Sequence, residues 1–363
     1  MIASSSASRF AYALLATALV AQCASAQRAL IDIANFGTPS ASEYPVTGLT
    51  QGSNGMLYGV TPRANASYGN SGTVYSVSPG GAITTLYTFT GQSDGALPAG
   101  KPVFGGDGSL YGVTSGFLSV YTSLQTYGTV YRMTPAGTLT TIYTFGNGTD
   151  SGNPYGPLVQ AGDGNVYGIT LGTSTRNGTV FRVSPSGTFT TLYTFTGGTD
   201  GSYANAGLTI GADGNFYGTA YRPQNRIGTI FKMTSAGSLT TLYTFTGGSD
   251  GSYSYGGLAL GPDDNFYGIT WPGNSNAGTV FRVTPSGSLT TLYQFTGGTD
   301  QGDPTGLILA SDGAFYGTTT GGNGTYGLGT VFKVTSGGAF ATLATFTANQ
   351  FSPAPNPSQL VQA

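Results

Sequence analysis

The feature that most limits what this chain can fold into is a repeated phrase. Gly178-Thr179-Val180-Phe181-Arg182-Val183-Ser184-Pro185-Ser186-Gly187 is followed at once by Thr190-Thr191-Leu192-Tyr193-Thr194-Phe195. Its Gly-Thr-Val/Ile opening recurs at Gly72, Gly128, Gly178, Gly228, Gly278 and Gly329, in steps of 56, 50, 50, 50 and 51 residues. A fixed period of this size marks a chain built from stacked supersecondary units. Within one period, Leu158–Gln160 and Val166–Gly168 flank Gly162-Asp163-Gly164, a tight-turn signal because Asp-Gly tolerates positive φ. Thr179–Ser184 and Phe189–Phe195 flank Pro185-Ser186-Gly187, a second hairpin.

The strand segments are rich in Thr, Val, Tyr and Phe, which suit a pleated surface. With 61 glycines in 363 residues, helices would be penalised throughout. Four short antiparallel strands every 50 residues predict an all-β fold, a β-propeller with one four-stranded blade per period. A β-helix is the main rival, but its coils are shorter and lack two turn-bounded hairpins. Six units are expected at 48–89, 98–145, 156–195, 206–245, 256–295 and 306–346. Leu30–Phe36 resembles a fourth strand, and Leu360-Val361-Gln362-Ala363 repeats Leu158-Val159-Gln160-Ala161. The expectation is six complete blades plus a partial seventh built from both termini, in a chain truncated at its C-terminus. The alternative is a six-bladed ring. Pro353, Pro355 and Pro357 make the approach to Leu360 extended.

Residues 1–26 have the form of a secretory signal peptide: Arg9, an apolar Phe10–Val20 too short to span a bilayer, and the A-x-A site Ala24-Ser25-Ala26. Residues 27–363 are then a single repeat domain. Cleavage would remove Cys23, the sole cysteine, and one of the 12 basic residues, leaving 11 against 14 acids, a net of −3. A lipid anchor on Cys23 is disfavoured because Gln22 stands where a small residue is expected. The charge balance does not suit a nucleic-acid partner or a basic membrane surface. No integral membrane segment remains after cleavage, and a monomer is expected.

The sequence Gly-Thr-Val-Phe-Arg-Val-x-Pro-x-Gly, then Thr-Thr-Leu-Tyr-Thr-Phe, then Asp-Gly-Asn-Phe-Tyr-Gly, resembles the GloVer tandem repeat of bacterial "choice-of-anchor" exported proteins, over nearly all of residues 29–363. The resemblance implies an exported, propeller-like repeat protein with no known enzymatic activity. It also implies a C-terminal anchoring or sorting segment, and none follows Ala363 in this sequence. Extracellular space, cell surface or periplasm is the expected location.

Histidine is absent, which removes imidazole catalysis, a Ser-His-Asp triad and histidine metal sites. Cysteine nucleophiles and thiolate zinc sites leave with Cys23. The carboxylates fall into columns. Asp107, Asp163, Asp213, Asp263, Asp264 and Asp312 lie in the first hairpin and are expected to form turns. Asp94, Asp150, Asp200, Asp250 and Asp300 lie in the loop leaving the fourth strand. A turn or ion pair is expected there, with calcium as the sharper alternative; no other cofactor is expected. Arg132, Arg182, Lys232, Arg282 and Lys333 share one strand position, interrupted by Ser76, and are expected to be half-buried and paired with aspartate within or between blades.

Repeated residues are scaffold, so function is sought where the repeats differ. The variable loops, between strands two and three and after strand four, carry Arg63, Tyr68, Tyr121, Tyr127, Arg176, Tyr221, Arg222, Arg226, Trp271 and Tyr326. Trp271 is the only tryptophan, and the insertion at Phe117–Tyr127 is the most distinctive loop. Aromatic planes among polar loops suit stacking on sugar rings or clamping a peptide, so a glycan or a surface protein is the expected partner. The competing reading is a polysaccharide hydrolase or lyase, which needs two carboxyls about 5–10 Å apart. Only Asp32, Glu43 and Asp303 stand outside the repeated columns.

Overall fold

In the computed structural model the described residues are 48–62, 71–115, 117–118, 125–146, 150–173, 176–204, 206–222, 226–254, 256–272, 277–320 and 329–346. The leader, the Leu30–Phe36 and Leu360–Ala363 segments, Arg63, Tyr68, Tyr121 and Tyr326 lie outside them. The described chain is an all-β propeller of six four-stranded antiparallel blades. Blade three is typical: Pro154–Gln160, Val166–Thr173, Arg176–Val183 and Phe189–Thr194 pair in sequence order. Blade one begins at Thr50 and blade six ends at Thr345, close to the bounds set by the repeat. Blade two alone adds a two-stranded hairpin, Phe117–Leu118 with Gln125–Thr126, in the insertion.

The third and fourth strands slip register by one residue, as between Val180 and Phe181 of blade three, and the same irregularity recurs in every blade. A bulge of this kind strengthens twist. The two middle strands are buried on both faces, which explains why their sequence does not alternate cleanly between apolar and polar.

Cohesion between blades comes from a repeated aromatic contact. The phenylalanine that ends the fourth strand of one blade meets, edge to face, the third-strand aromatic of the next. The pairs are Phe89–Tyr131 at 5.4 Å, Phe145–Phe181 at 5.3 Å, Phe195–Phe231 at 5.5 Å, Phe245–Phe281 at 5.3 Å and Phe295–Phe332 at 5.3 Å between centroids. Such pairs add about 0.5–1.5 kcal/mol beyond the area they bury. Five hydrophobic clusters follow, one at each junction between successive blades. Blades one and six keep smaller clusters of their own, around Leu57, Tyr75 and Val77 and around Ala310, Ala314, Tyr316 and Val331. Among the described residues no hydrophobic cluster joins blade six to blade one.

Glycine is needed where blades converge. Gly187 has φ +90°, and a Cβ there would lie 2.5 Å from the Ile142 carbonyl of the preceding blade. Nearer the axis, a Cβ on Gly100 would lie within van der Waals radius of the Gly156 backbone. At Gly187 the outer hairpin of one blade, and at Gly100 the innermost strand, approaches the neighbouring blade too closely for a side chain.

Candidate functional site

Both aspartate columns are structural. In the first hairpin, Asp107 Oδ1 accepts from the Ser109 amide at 3.0 Å and Oδ2 from the Tyr111 hydroxyl at 3.0 Å. The predicted cation pairing is present within blades: Arg132–Asp107 at 2.7 Å, Lys232–Asp213 at 2.7 Å and Lys333–Asp312 at 2.9 Å. These cations are half-buried, as expected. Burial pushes the Asp312 carboxyl up, but the Tyr316 hydroxyl and Lys333 outweigh it and hold it at about 2. Arg182 instead bonds the Thr190 hydroxyl at 3.4 Å, with Asp163 near enough to feel its charge.

The second column locks the loop leaving strand four. Asp200 Oδ2 accepts from the Tyr193 hydroxyl at 2.9 Å and the Thr196 amide at 2.8 Å, and Oδ1 accepts from the Thr196 hydroxyl at 2.6 Å. Asp94, Asp250 and Asp300 repeat this arrangement, and Asp150 keeps its tyrosine and amide bonds. The carbonyls of Asp94, Asp200, Asp250 and Asp300 accept in turn from Thr129, Thr229, Thr279 and Thr330 of the following blade. The loops that carry variation are therefore mounted on a rigid frame. The oxygens of Asp94, Asp200, Asp250 and Asp300 face protein donors, whereas Asp150 Oδ1 is buried without one, and no cluster of three or more potential metal ligands occurs among the described residues.

Of the residues singled out on the loops, the structure brings Tyr221 and Trp271 into one group at the junction of blades four and five. Tyr253 lies between them. Its ring is 4.5 Å from Tyr221, tilted by 45°, and 6.0 Å from Trp271, with an interplanar angle of 26°. The backbones that carry the three rings are tied by main-chain hydrogen bonds. The Trp271 amide donates to the Tyr253 carbonyl at 2.8 Å, and the Tyr221 amide to the Tyr203 carbonyl at 2.8 Å. Trp271 is 41% exposed, one of three large apolar side chains on the described surface. Arg222 adjoins this row and donates from Nη2 to the Thr199 carbonyl at 3.1 Å, while its Nε is buried without an acceptor.

Other expected loop residues do not join. Tyr127 packs against the cluster between blades two and three, and its carbonyl accepts from the Asn153 amide at 2.7 Å. Arg226 is exposed in a left-handed conformation at φ 55°. Arg176 opens the third strand of blade three. Of the acids outside the columns only Asp303 is described. It sits at φ 50°, and burial raises its carboxyl above the usual range. Glu43 and Asp32 lie outside the described residues.

Sequence reasoning overlooked Tyr253. Its signal is Gly-Ser-Tyr, present at 201–203 and again at 251–253. It was also silent on the axis, where the inner strands of blades two to six line a cavity of about 580 Å³. Lys101 is the sole charged residue in that lining.

No helix among the described residues is long and apolar enough to cross a membrane. Comparison with solved structures supports the architecture. A luciferin-regenerating enzyme aligns with a TM-score of 0.53 at 13% identity, over 84% of this chain and 96% of that one. Prolyl oligopeptidase B from Galerina marginata aligns at 0.53 and 10% identity, over 85% of this chain and 43% of that one. A protein of unknown function from Dyadobacter fermentans aligns at 0.50 and 11% identity, over 82% and 92%. Likeness at this identity is one of fold. No curated protein matches the sequence. The Gloeobacter/Verrucomicrobia repeat matches residues 117–322, more than half of the chain, and the protein belongs to that repeat family.

Proposed function

We propose that this chain is an exported, non-enzymatic binding protein that takes a glycan on the loop face of blades four and five. One observation carries the reading: an exposed tryptophan backed by two tyrosines, with its own amide and that of Tyr221 held by main-chain hydrogen bonds. Flat aromatic faces in a polar loop surround match the apolar face of a sugar ring. Contact between the rings and hydrogen bonds between their backbones lower the ordering cost of binding.

The test is a glycan-array screen of residues 27–363, with and without calcium, followed by titration of any hit into Trp271→Ala and Tyr253→Ala. Each variant should lose at least tenfold in affinity, about 1.4 kcal/mol, with its melting temperature close to wild type. A blank array from folded protein, or a hit indifferent to both substitutions, would remove the glycan reading. Capture of a protein ligand through Trp271 would replace it with peptide clamping.

That no hydrophobic cluster joins blades one and six among the described residues supports a further proposal about architecture: that a closing blade takes its fourth strand from Leu30–Phe36 and its first from Gln359–Gln362. At five junctions a strand-four phenylalanine meets the next blade's third-strand aromatic. The same rule assigns Phe36 to Tyr75. Phe36→Ala should then destabilise by about as much as Phe295→Ala, on the order of 3–5 kcal/mol. A Phe36→Ala variant that melts like wild type would leave the six blades without this closure.

A further inference from the structure

The inner strands place one residue per blade at the same step of the turn toward the axis. Pairing with the second strand fixes the correspondence. Val103 faces Tyr111, Val159 faces Tyr167, Thr209 faces Tyr217, Ala259 faces Tyr267, Ile308 faces Tyr316 and Thr50 faces Tyr58. Two positions earlier stand Lys101, Pro157, Gly207, Gly257, Gly306 and Gly48. Five of six blades put a glycine or proline there; a Cβ on Gly207 would lie 3.0 Å from Pro157 and one on Gly257 3.1 Å from the Ala206 carbonyl, whereas Gly306 faces open space. Blade two puts an ammonium group.

That group is solvent-exposed, yet protein surrounds it on the channel side, and the resulting desolvation lowers its pKa. The chain has only three lysines. Lys232 and Lys333 are ion-paired, whereas Lys101 has no anionic partner among the described residues and no acid stands in the cavity lining. The other polar side chains there are already engaged. Gln160 bonds the Gly106 amide and the Gly164 carbonyl, Thr209 the Leu258 carbonyl, and Thr305 the Thr318 hydroxyl. Tyr155 remains, 43% exposed, on the adjoining blade. Lys101 thus presents an ammonium group without an acid beside it to a cavity of mixed polar and apolar lining. A cavity near 580 Å³ lies within the range that holds a small ligand.

We propose that the axial cavity is a second binding site, for a small acidic sugar whose carboxylate pairs with Lys101 while its ring lies against Tyr155. The site is separate from the loop face and does not depend on it. The probe is D-galacturonate, with D-galactose as the neutral control, followed by ligand-observed NMR on residues 27–363. Galacturonate should bind and galactose should not. Lys101→Met should abolish galacturonate binding, whereas Trp271→Ala should leave it intact. Amine acetylation read by mass spectrometry supplies a second measure on the unmutated protein: Lys101 should react ahead of Lys232 and Lys333, and galacturonate should protect it alone. Failure of galacturonate to bind folded wild type, equal binding of galactose, or unchanged binding by Lys101→Met would overturn the proposal. Loss of galacturonate binding in Trp271→Ala would assign the sugar to the loop face instead.

Discussion

Asp200→Ala tests whether the second aspartate column is a loop lock or a cation site. The carboxylate accepts three hydrogen bonds, from the Tyr193 hydroxyl, the Thr196 amide and the Thr196 hydroxyl, at 2.6–2.9 Å. Asp200 is 6% exposed, while its donors stand on a half-buried Tyr193 and an exposed Thr196, so water makes good part of the loss. A hydrogen bond to a charged group contributes about 1.5–3 kcal/mol, but three sharing one acceptor are not additive. A loss of about 2–4 kcal/mol is expected, measured by urea unfolding at neutral pH.

The pH dependence supplies the sign. Burial pushes the Asp200 carboxyl up, but the bonds from Thr196 and Tyr193 prevail and hold its pKa below the ordinary value. A depressed folded pKa means the stabilisation is complete above the unfolded value of about 3.9. It is then lost as pH falls through the folded value. The difference between wild type and Asp200→Ala should therefore be constant from pH 5 upward on the order of the neutral value, and shrink in stronger acid. Chelating calcium should change neither protein. If chelation lowered the wild type to the level of the variant, the loop would be a calcium site and the hydrogen-bond account would fail. A variant as stable as wild type would refute it more directly.

Further outcomes follow from the same geometry. Trp271→Ala and Tyr253→Ala should each cost a glycan ligand at least tenfold in affinity, and Phe36→Ala should match Phe295→Ala in melting if the termini close the ring. Lys101→Met should lose galacturonate while keeping the loop-face ligand. On the alkaline side, burial first, then the Asp hydrogen bond and charge, raises Tyr143, Tyr193, Tyr243, Tyr267 and Tyr293 to about 12. A raised folded pKa gives stability that is whole below the unfolded value of about 10 and lost as pH climbs through the folded one. Phenolate absorbance should show these tyrosines ionising late and together with loss of strand structure, and a single titration at the ordinary tyrosine value would contradict the Tyr–Asp locks.

The blades were legible in sequence because their determinants are local and occur six times. Asp-Gly and Pro-x-Gly turns, strand-forming residues and an Arg/Lys column opposite Asp are each specified within one unit. The candidate sites were harder to see because they arise between units. Tyr253 does not stand out in sequence because Gly-Ser-Tyr also occurs at 201–203, and only the fold shows that its ring bridges Tyr221 of one blade and Trp271 of the next. Lys101 sits in a stretch with a register irregularity between Ala99 and Val103, which obscures its column until strand pairing is known. Once aligned, the repeat supplies its own control. Gly48, Pro157, Gly207, Gly257 and Gly306 show that the fold needs no charge at that step. Lys101 is the one charge that any blade carries at this step of the repeat. The axial cavity holds no acid to meet Lys101, and the anion proposed to do so is one brought by a ligand.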